Sequence, residues 1–179
     1  MDDNLIMFQV VNGDLAKLGI LYERHKLPLY TYFYRVTAGD QNFSEDLVHQ
    51  VFVRILSYKH SFKGTGAFQH WLFHIAHHVA IDYSKARKVH LDATTITDRS
   101  DPDSNAQDKL ETKEKVTLLD RALQQLREED RQLLSLAKIK GLRYADIAEM
   151  LETTEGAIRV RVHRAMAELK AIYQKIEKV

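Results

Sequence analysis

The sequence predicts an all-α protein made of two small helical domains joined by a flexible acidic linker. Three observations carry that expectation. Glycine (7) and proline (2) are scarce among 179 residues, so turns are few. Apolar residues recur at helical rather than alternating spacing on both sides of the chain's middle. The middle itself, residues 89–112, is rich in Asp, Ser, Thr and Asn, holds Pro102 and has no sustained apolar period. Ordering such a stretch would bury too little surface to offset the entropy lost. The net charge of +1 conceals this layout: residues 1–88 balance at +2, 89–112 at −4 and 113–179 at +3.

Composition removes several function classes. Without cysteine there is no disulfide framework and no thiolate zinc finger, and the chain suits a reducing cytosol. No apolar run approaches the ~18 residues that span a bilayer. The acidic start Met1-Asp2-Asp3 is unlike a secretory signal. A cytoplasmic protein with no membrane insertion is expected.

Four helices are expected in the first domain, residues 1–88. The first runs from about Asp14 to His25, with Leu15, Leu18, Leu21 and Tyr22 on one side. The second, about Leu27 to Thr37, carries Tyr30, Phe33 and Tyr34 at i, i+3, i+4. A turn at Gly39–Phe43 leads to the third, Ser44 to about Tyr58, where Leu47, Val48, Val51, Phe52, Ile55 and Leu56 form a stripe. Ser44 is the expected N-cap, with Glu45 and Asp46 favourable at the positive end of the dipole. The fourth, about Ala67 to Arg87, sets Phe68, Trp71, Leu72, Ile75, Ala76, Val79 and Tyr83 on one face. Opposite lie His70, His74, His77, Ile81 and Lys85, with His78 at the flank, and the helix ends in Lys85, Arg87 and Lys88. The preceding loop (Tyr58, Lys59, His60, Ser61, Phe62, Lys63) mixes aromatics with cations, as surfaces for single-stranded nucleic acid do.

His70, His74 and His77 also have a spacing that zinc accepts. No carboxylate shares their face and no outer partner is evident, so a solvated or DNA-facing surface is the preferred reading. There is no nucleophile–base pair, phosphate-cradling glycine loop or paired carboxylate in a recognisable frame. No catalytic residue, metal site or cofactor is therefore expected, and the chain is not read as an enzyme.

In the second domain, residues 113–179, helices are expected over about Lys113–Leu126 and Glu128–Lys140. A helix-turn-helix follows. Ile147, Ala148 and Leu151 form the apolar face of its first helix, and Ala148 is small where the helices cross. Glu152 and Thr153 make the turn, Thr154 caps the second helix, and Glu155 opens it. Ile158, Val162 and Ala165 pack inward, leaving Arg159, Arg161, His163 and Arg164 as a cationic outer face for a major groove. Arginine reaches phosphates or the guanine edge, and Val160 can touch a thymine methyl. Glu152 stands where many such turns place glycine in a left-handed conformation.

The segments SEDLVHQVFVRIL, FQHWLFHIAHHVAIDYSKARK and GLRYADIAEMLETTEGAIRVRVHRAMAELK together resemble the two conserved regions of extracytoplasmic-function sigma factors of bacterial RNA polymerase. The resemblance covers nearly the whole chain outside the linker, in the family's order. It implies a region 2 helical bundle and a region 4 helix-turn-helix that bring core RNA polymerase to promoters. Asp46, His49, Gln50 and Arg54 would meet the polymerase. Tyr58, Lys59, His60, Phe62, Lys63, Thr65, His70, His74, His77, His78, Lys85, Arg87 and Lys88 would hold the melted strand of the −10 element. Thr154, Glu155, Arg159, Val160, Arg161, His163 and Arg164 would bind the −35 element as duplex. The acidic linker would run towards the RNA exit path. The resemblance also implies an anti-sigma factor as partner; with the chain ending soon after the last helix, no attached sensor domain is expected.

This sequence departs from the family at three places. His49-Gln50 replaces the usual Gln-Glu, His77-His78 the usual Arg-Asn, and Val160 a frequent serine. The histidine pair implies a strand contact that strengthens below neutrality. The competing reading is a helix-turn-helix regulator that works without polymerase. The aromatic, cationic fourth helix weighs against it, because a repressor needs no single-strand surface.

Overall fold

A computed structural model describes residues 2–93, 110–139 and 141–178, with side chains for 2–89, 116–139 and 141–178. Residues 94–109 of the expected linker 89–112 lie outside these residues; its two ends are helical instead, up to Ala93 and from Leu110. Eight α-helices are described: α1 (Asp3–Val11), α2 (Leu18–Val36), α3 (Gln41–Tyr58), α4 (Phe68–Ala93), α5 (Leu110–Gln125), α6 (Glu128–Ala137), α7 (Tyr144–Met150) and α8 (Glu155–Glu177). Short 3-10 turns lie at Leu15–Lys17 and Lys59–Ser61.

Three features of the first half differ from the sequence expectation. Helix α1 was not anticipated. Ile6, Met7 and Val10 are buried, whereas Leu5 and Phe8 are exposed, so its apolar residues ring the helix instead of forming one stripe. Asp3 ties it down, its carboxylate meeting Arg24 Nη1 at 2.5 Å and His25 Nε2 at 2.7 Å. Next, the two helices expected around Leu27 are one. Pro28 sits inside α2, which stays continuous because Leu21, Leu29, Tyr32 and Phe33 are fully buried across the join; tertiary burial outweighs the local penalty of proline.

The third difference is the start of α3. It begins at Gln41, and Asp40 is its cap, accepting a bond from the Phe43 N–H at 3.0 Å. Ser44 lies a turn further in, buried, with its hydroxyl 2.9 Å from that of Thr37. Thus Glu45 and Asp46 are past the first turn, where the dipole has little hold on them.

The two halves pack together. Helix α6 lies along α2, and the buried Arg131 donates to the carbonyls of Val36 and Gln124, each at 3.4 Å. Gln124 donates to the Ala38 carbonyl at 3.1 Å, and the Ser84 hydroxyl bonds the Glu128 carboxylate. The first half is thus seated on the second through polar bonds around a shared apolar core.

Candidate nucleic-acid interfaces

Loop 59–67 leaves α3 and enters α4 over a cluster of rings. Phe62 is buried at its centre, 5.3 Å from Phe8, 5.2 Å from Trp71 and 6.0 Å from Phe68, centroid to centroid. Such tilted pairs are favourable beyond the area they bury. Gly64 then passes directly over the Phe8 ring: a Cβ built there falls 2.4 Å from Phe8 Cζ, and φ is +65°. Only glycine fits both conditions. Asn4 Nδ2 donates to the Gly66 carbonyl at 2.9 Å and pins the far end. The loop's shape therefore depends on α1, which the sequence reading missed.

Between this loop and α4 lies an open groove of about 610 Å³. Tyr58, Lys63, Thr65, His70, His74 and His78 line it, as the sequence reading grouped them, together with Trp71 and Ile75 from the flank of α4. Tyr58, Lys63, His74 and His78 are exposed, and the His74 and His78 rings meet edge to face at 4.8 Å. His74 is held below the usual histidine pKa, first by burial and then by His78 and His70. Lys59 and His60 stand in the loop outside the groove, and Lys85, Arg87 and Lys88 lie further along α4.

Two residues are not where the sequence reading put them. Phe62 is a buried anchor, so its ring is not free to stack on a base. His77 is 7 % exposed and faces the core, and burial followed by His78 and His74 lowers its pKa to about 4. It is neutral at every pH where histidine ordinarily titrates, so the expected pH-sensitive strand contact loses half of its pair. A strict 100° register put His77 with His70, but the face of α4 covered by neighbouring helices is wider than a single stripe. Among the described residues, no group of three or more His, Cys, Asp or Glu is placed to hold a metal ion.

On the outer side of α3, Asp46, His49 and Gln50 are exposed, and the His49 ring stacks on Tyr22 at 6.1 Å. Arg54 turns instead to the rim of the groove, its Nη2 2.6 Å from Asp82 of α4. That ion pair had no signal in the sequence, since its partners are 28 residues apart.

The helix-turn-helix follows the expected plan closely. The Asp146 carboxylate accepts the Arg143 N–H at 2.8 Å, satisfying the start of α7. Although burial opposes it, the Arg143 guanidinium keeps the Asp146 carboxyl below the ordinary carboxylate range. Glu152 adopts φ +51°, the left-handed turn conformation, at a penalty of roughly 1–2 kcal/mol. Thr154 caps α8, accepting the Ala157 N–H at 3.2 Å. Ile158, Val162, Ala165 and Leu169 are buried. At about 100° per residue the opposite face centres on Val160, flanked by His163 and Arg164. Arg159 lies at one edge, bonded to Glu155 Oε1 at 2.8 Å, and Arg161 at the other edge is half-buried.

Residues 21–89 match the family described as Sigma-70 region 2, and residues 117–169 match Sigma-70 region 4. SigX of Bacillus subtilis (strain 168), an ECF RNA polymerase sigma factor, is 30% identical over 157 residues, covering 84% of this chain and 80% of SigX. The chain belongs to the extracytoplasmic-function sigma factors. It directs RNA polymerase to promoters. BldN of Streptomyces coelicolor, in the same family, is 30% identical over 161 residues; the match covers 88% of this sigma factor and 60% of BldN. The fold is similar to that of CnrH, solved in complex with the cytosolic domain of CnrY, with TM-score 0.71, 22% identity and 97% of both chains covered. The region 2 match leaves the regulator without polymerase unsupported. No described helix is long and apolar enough to cross a membrane.

Proposed function

We propose that promoter recognition is divided between the two surfaces. The groove between loop 59–67 and α4 takes the melted strand of the −10 element. Tyr58 stacks on bases, while Lys63, Thr65, His70, His74 and His78 meet the backbone. Lys59, His60, Lys85, Arg87 and Lys88 supply charge along its approaches, and Phe62 and His77 act beneath the surface as supports. The outer face of α8 reads the −35 duplex through Val160, His163 and Arg164, with Arg159 and Arg161 at the edges and Thr154 and Glu155 at its entry. Asp46, His49, Gln50 and Arg54 meet the polymerase, and residues 1–88 and 113–179 act as the two working units. The chain works in the cytoplasm without chemistry, metal or cofactor of its own. An anti-sigma factor holds it inactive, as a partner domain is seated on CnrH.

The observation that supports this most is the chemical contrast between the surfaces. The groove combines rings with cations, the pairing that holds unpaired bases, whereas the α8 face presents cations on one helix with no Phe, Tyr or Trp among residues 155–170. Run-off transcription with core polymerase tests it. Tyr58→Ala with Lys63→Ala should slow strand opening, read by permanganate footprinting, and leave upstream duplex binding intact. Arg164→Ala should do the reverse, weakening duplex affinity by about 1–3 kcal/mol if it contacts a base edge. Arg161→Ala, at the flank, should only lower the salt dependence by about one phosphate contact. Equal defects in both steps for both sets would overturn the division.

A further inference from the structure

A second cavity, of about 420 Å³, shares no lining residue with the groove. Its charged wall is entirely guanidinium: Arg87 of α4, Arg121 of α5 and Arg131 of α6. Among the described residues no Asp or Glu lines it. Gln124 and Gln125 of α5 add amides, and Ile176 of α8 adds an apolar patch. Arg131 is buried, and its bonds to the carbonyls of Val36 and Gln124 fix its position. Arg87 is half-buried and Arg121 exposed, and neither has an ion-pair partner among the described residues. Asp120 opens instead onto a small neighbouring cavity, which Arg35 also lines.

We propose that this cavity binds a phosphate-dense small anion, a molecule carrying two or more linked phosphates. Three like charges gathered on one wall repel, and a guanidinium cannot relieve that repulsion by losing its proton. An anion relieves it. The planar fork of each arginine matches a pair of phosphate oxygens, which a compact diphosphate offers at several angles at once. The volume lies in the range of roughly 300–1,000 Å³ that small-molecule sites occupy. It leaves space beyond the phosphates, where Ile176 can receive the ring of a nucleoside. Inorganic pyrophosphate and a nucleoside diphosphate share this chemistry. A nucleic-acid strand suits the site less well, because its single phosphates are spread along a chain and the cavity gathers its cations from three helices. The division of promoter recognition is not needed for this assignment. Only Arg87 is common to both, and an occupied cavity draws it away from the approaches to the groove.

Calorimetric titration of the full chain with pyrophosphate, ADP, orthophosphate and citrate, in magnesium-free buffer, tests the site. Pyrophosphate and ADP should bind, with orthophosphate and citrate about tenfold weaker or worse. Tighter binding of ADP assigns a nucleotide, and equal binding assigns the inorganic anion; either supports the proposal. Arg121→Gln and Arg87→Gln should each weaken pyrophosphate about tenfold, one charge-assisted contact being lost. Arg127→Gln, an exposed cation outside the cavity, should leave it unchanged. Unliganded melting temperatures equal to the parent's establish that the two cavity variants are folded; if either melts lower, Arg121→Lys takes its place and should keep part of the affinity. Four results overturn the proposal. They are no binding of pyrophosphate or ADP at about 1 mM, citrate as tight as pyrophosphate, and equal losses for Arg127→Gln and Arg121→Gln. The fourth is a single-stranded oligonucleotide that loses as much affinity with Arg121→Gln as pyrophosphate does, which would give the cavity to nucleic acid.

Discussion

The groove and the outer face of α8, for which we propose two kinds of nucleic acid, are built in opposite ways. The α8 face is local. Its cap, its apolar spine and its cations fall within residues 154–169, so one helix supplies both support and surface. The groove is assembled from a distance. Phe8 and Asn4 of α1 shape its loop, Arg54 of α3 pairs with Asp82 at its rim, and Glu149 of α7 lines it from the second half. A local surface suits duplex DNA, which presents a regular groove to a rigid rod. A surface drawn from several elements suits an unpaired strand, which has to be shaped as it binds. The difference also implies that changes at the groove reach further through the fold than changes on α8.

The largest effect that would break this comparison lies beneath the groove. His77 is buried and its pKa is lowered to about 4, below the ordinary histidine value. Between those values the unfolded chain binds a proton that the folded chain refuses, so stability falls as pH drops from about 6.5 towards 4. Above pH 7 the residue adds no such dependence. With about 1.36 kcal/mol per pKa unit, the loss by pH 4.5 is roughly 2–3 kcal/mol. Urea unfolding at pH 7 and 4.5 should show that His77→Asn removes most of this slope. Equal slopes for both proteins would mean that His77 protonates in place, and that it belongs to the surface after all.

Gly64 is the next way to test whether the groove depends on distant residues. Gly64→Ala brings a Cβ against the Phe8 ring and keeps a left-handed backbone, and should destabilise by about 2 kcal/mol. Phe8→Ala removes the clash but not the backbone strain. In a thermal-unfolding double-mutant cycle the pair should therefore be less harmful than the sum of its parts. Strict additivity would show that the loop does not rest on α1.

Thr154→Ala probes the local surface and should cost about 1 kcal/mol, the usual loss for a cap. Amide exchange should show the first turn of α8 fraying while the groove keeps its protection. Loss of protection in both places would blur the contrast between the two surfaces.

What the sequence disclosed follows the same division. The turn at Glu152, the cap at Thr154 and the inward Ile158, Val162 and Ala165 were all legible, because each depends on residues fewer than five positions away. The groove's cations and Tyr58 were legible as a group, since composition alone marks them. Phe62 was not, because nothing nearby in sequence says that Phe8 and Trp71 will cover it. Ser44 misled for a subtler reason. Asp40 four residues earlier is an equally good cap, and only the Thr37–Ser44 hydroxyl pair, buried in the fold, decides between them. His77 misled because helical periodicity gives a side chain's direction and not how many neighbours cover that direction.

The smallest expected effect separates two roles of a single residue on α8. Glu155 lies in the first turn, where its charge favours the helix, and it also holds Arg159 at 2.8 Å. Those roles pull against each other once DNA is present, since Arg159 can meet a phosphate only by leaving Glu155. Glu155→Gln should therefore lower stability by about 0.5 kcal/mol, an exposed pair and a dipole being weak at this surface. It should also raise affinity for the upstream duplex about twofold, with a steeper salt dependence, because a freed cation displaces one more counterion. Thermal unfolding and anisotropy with a duplex of the promoter's upstream element read the two effects independently. A fall in both would mean that Glu155 helps bind DNA, and that Arg159 at the edge of the face is only its tether.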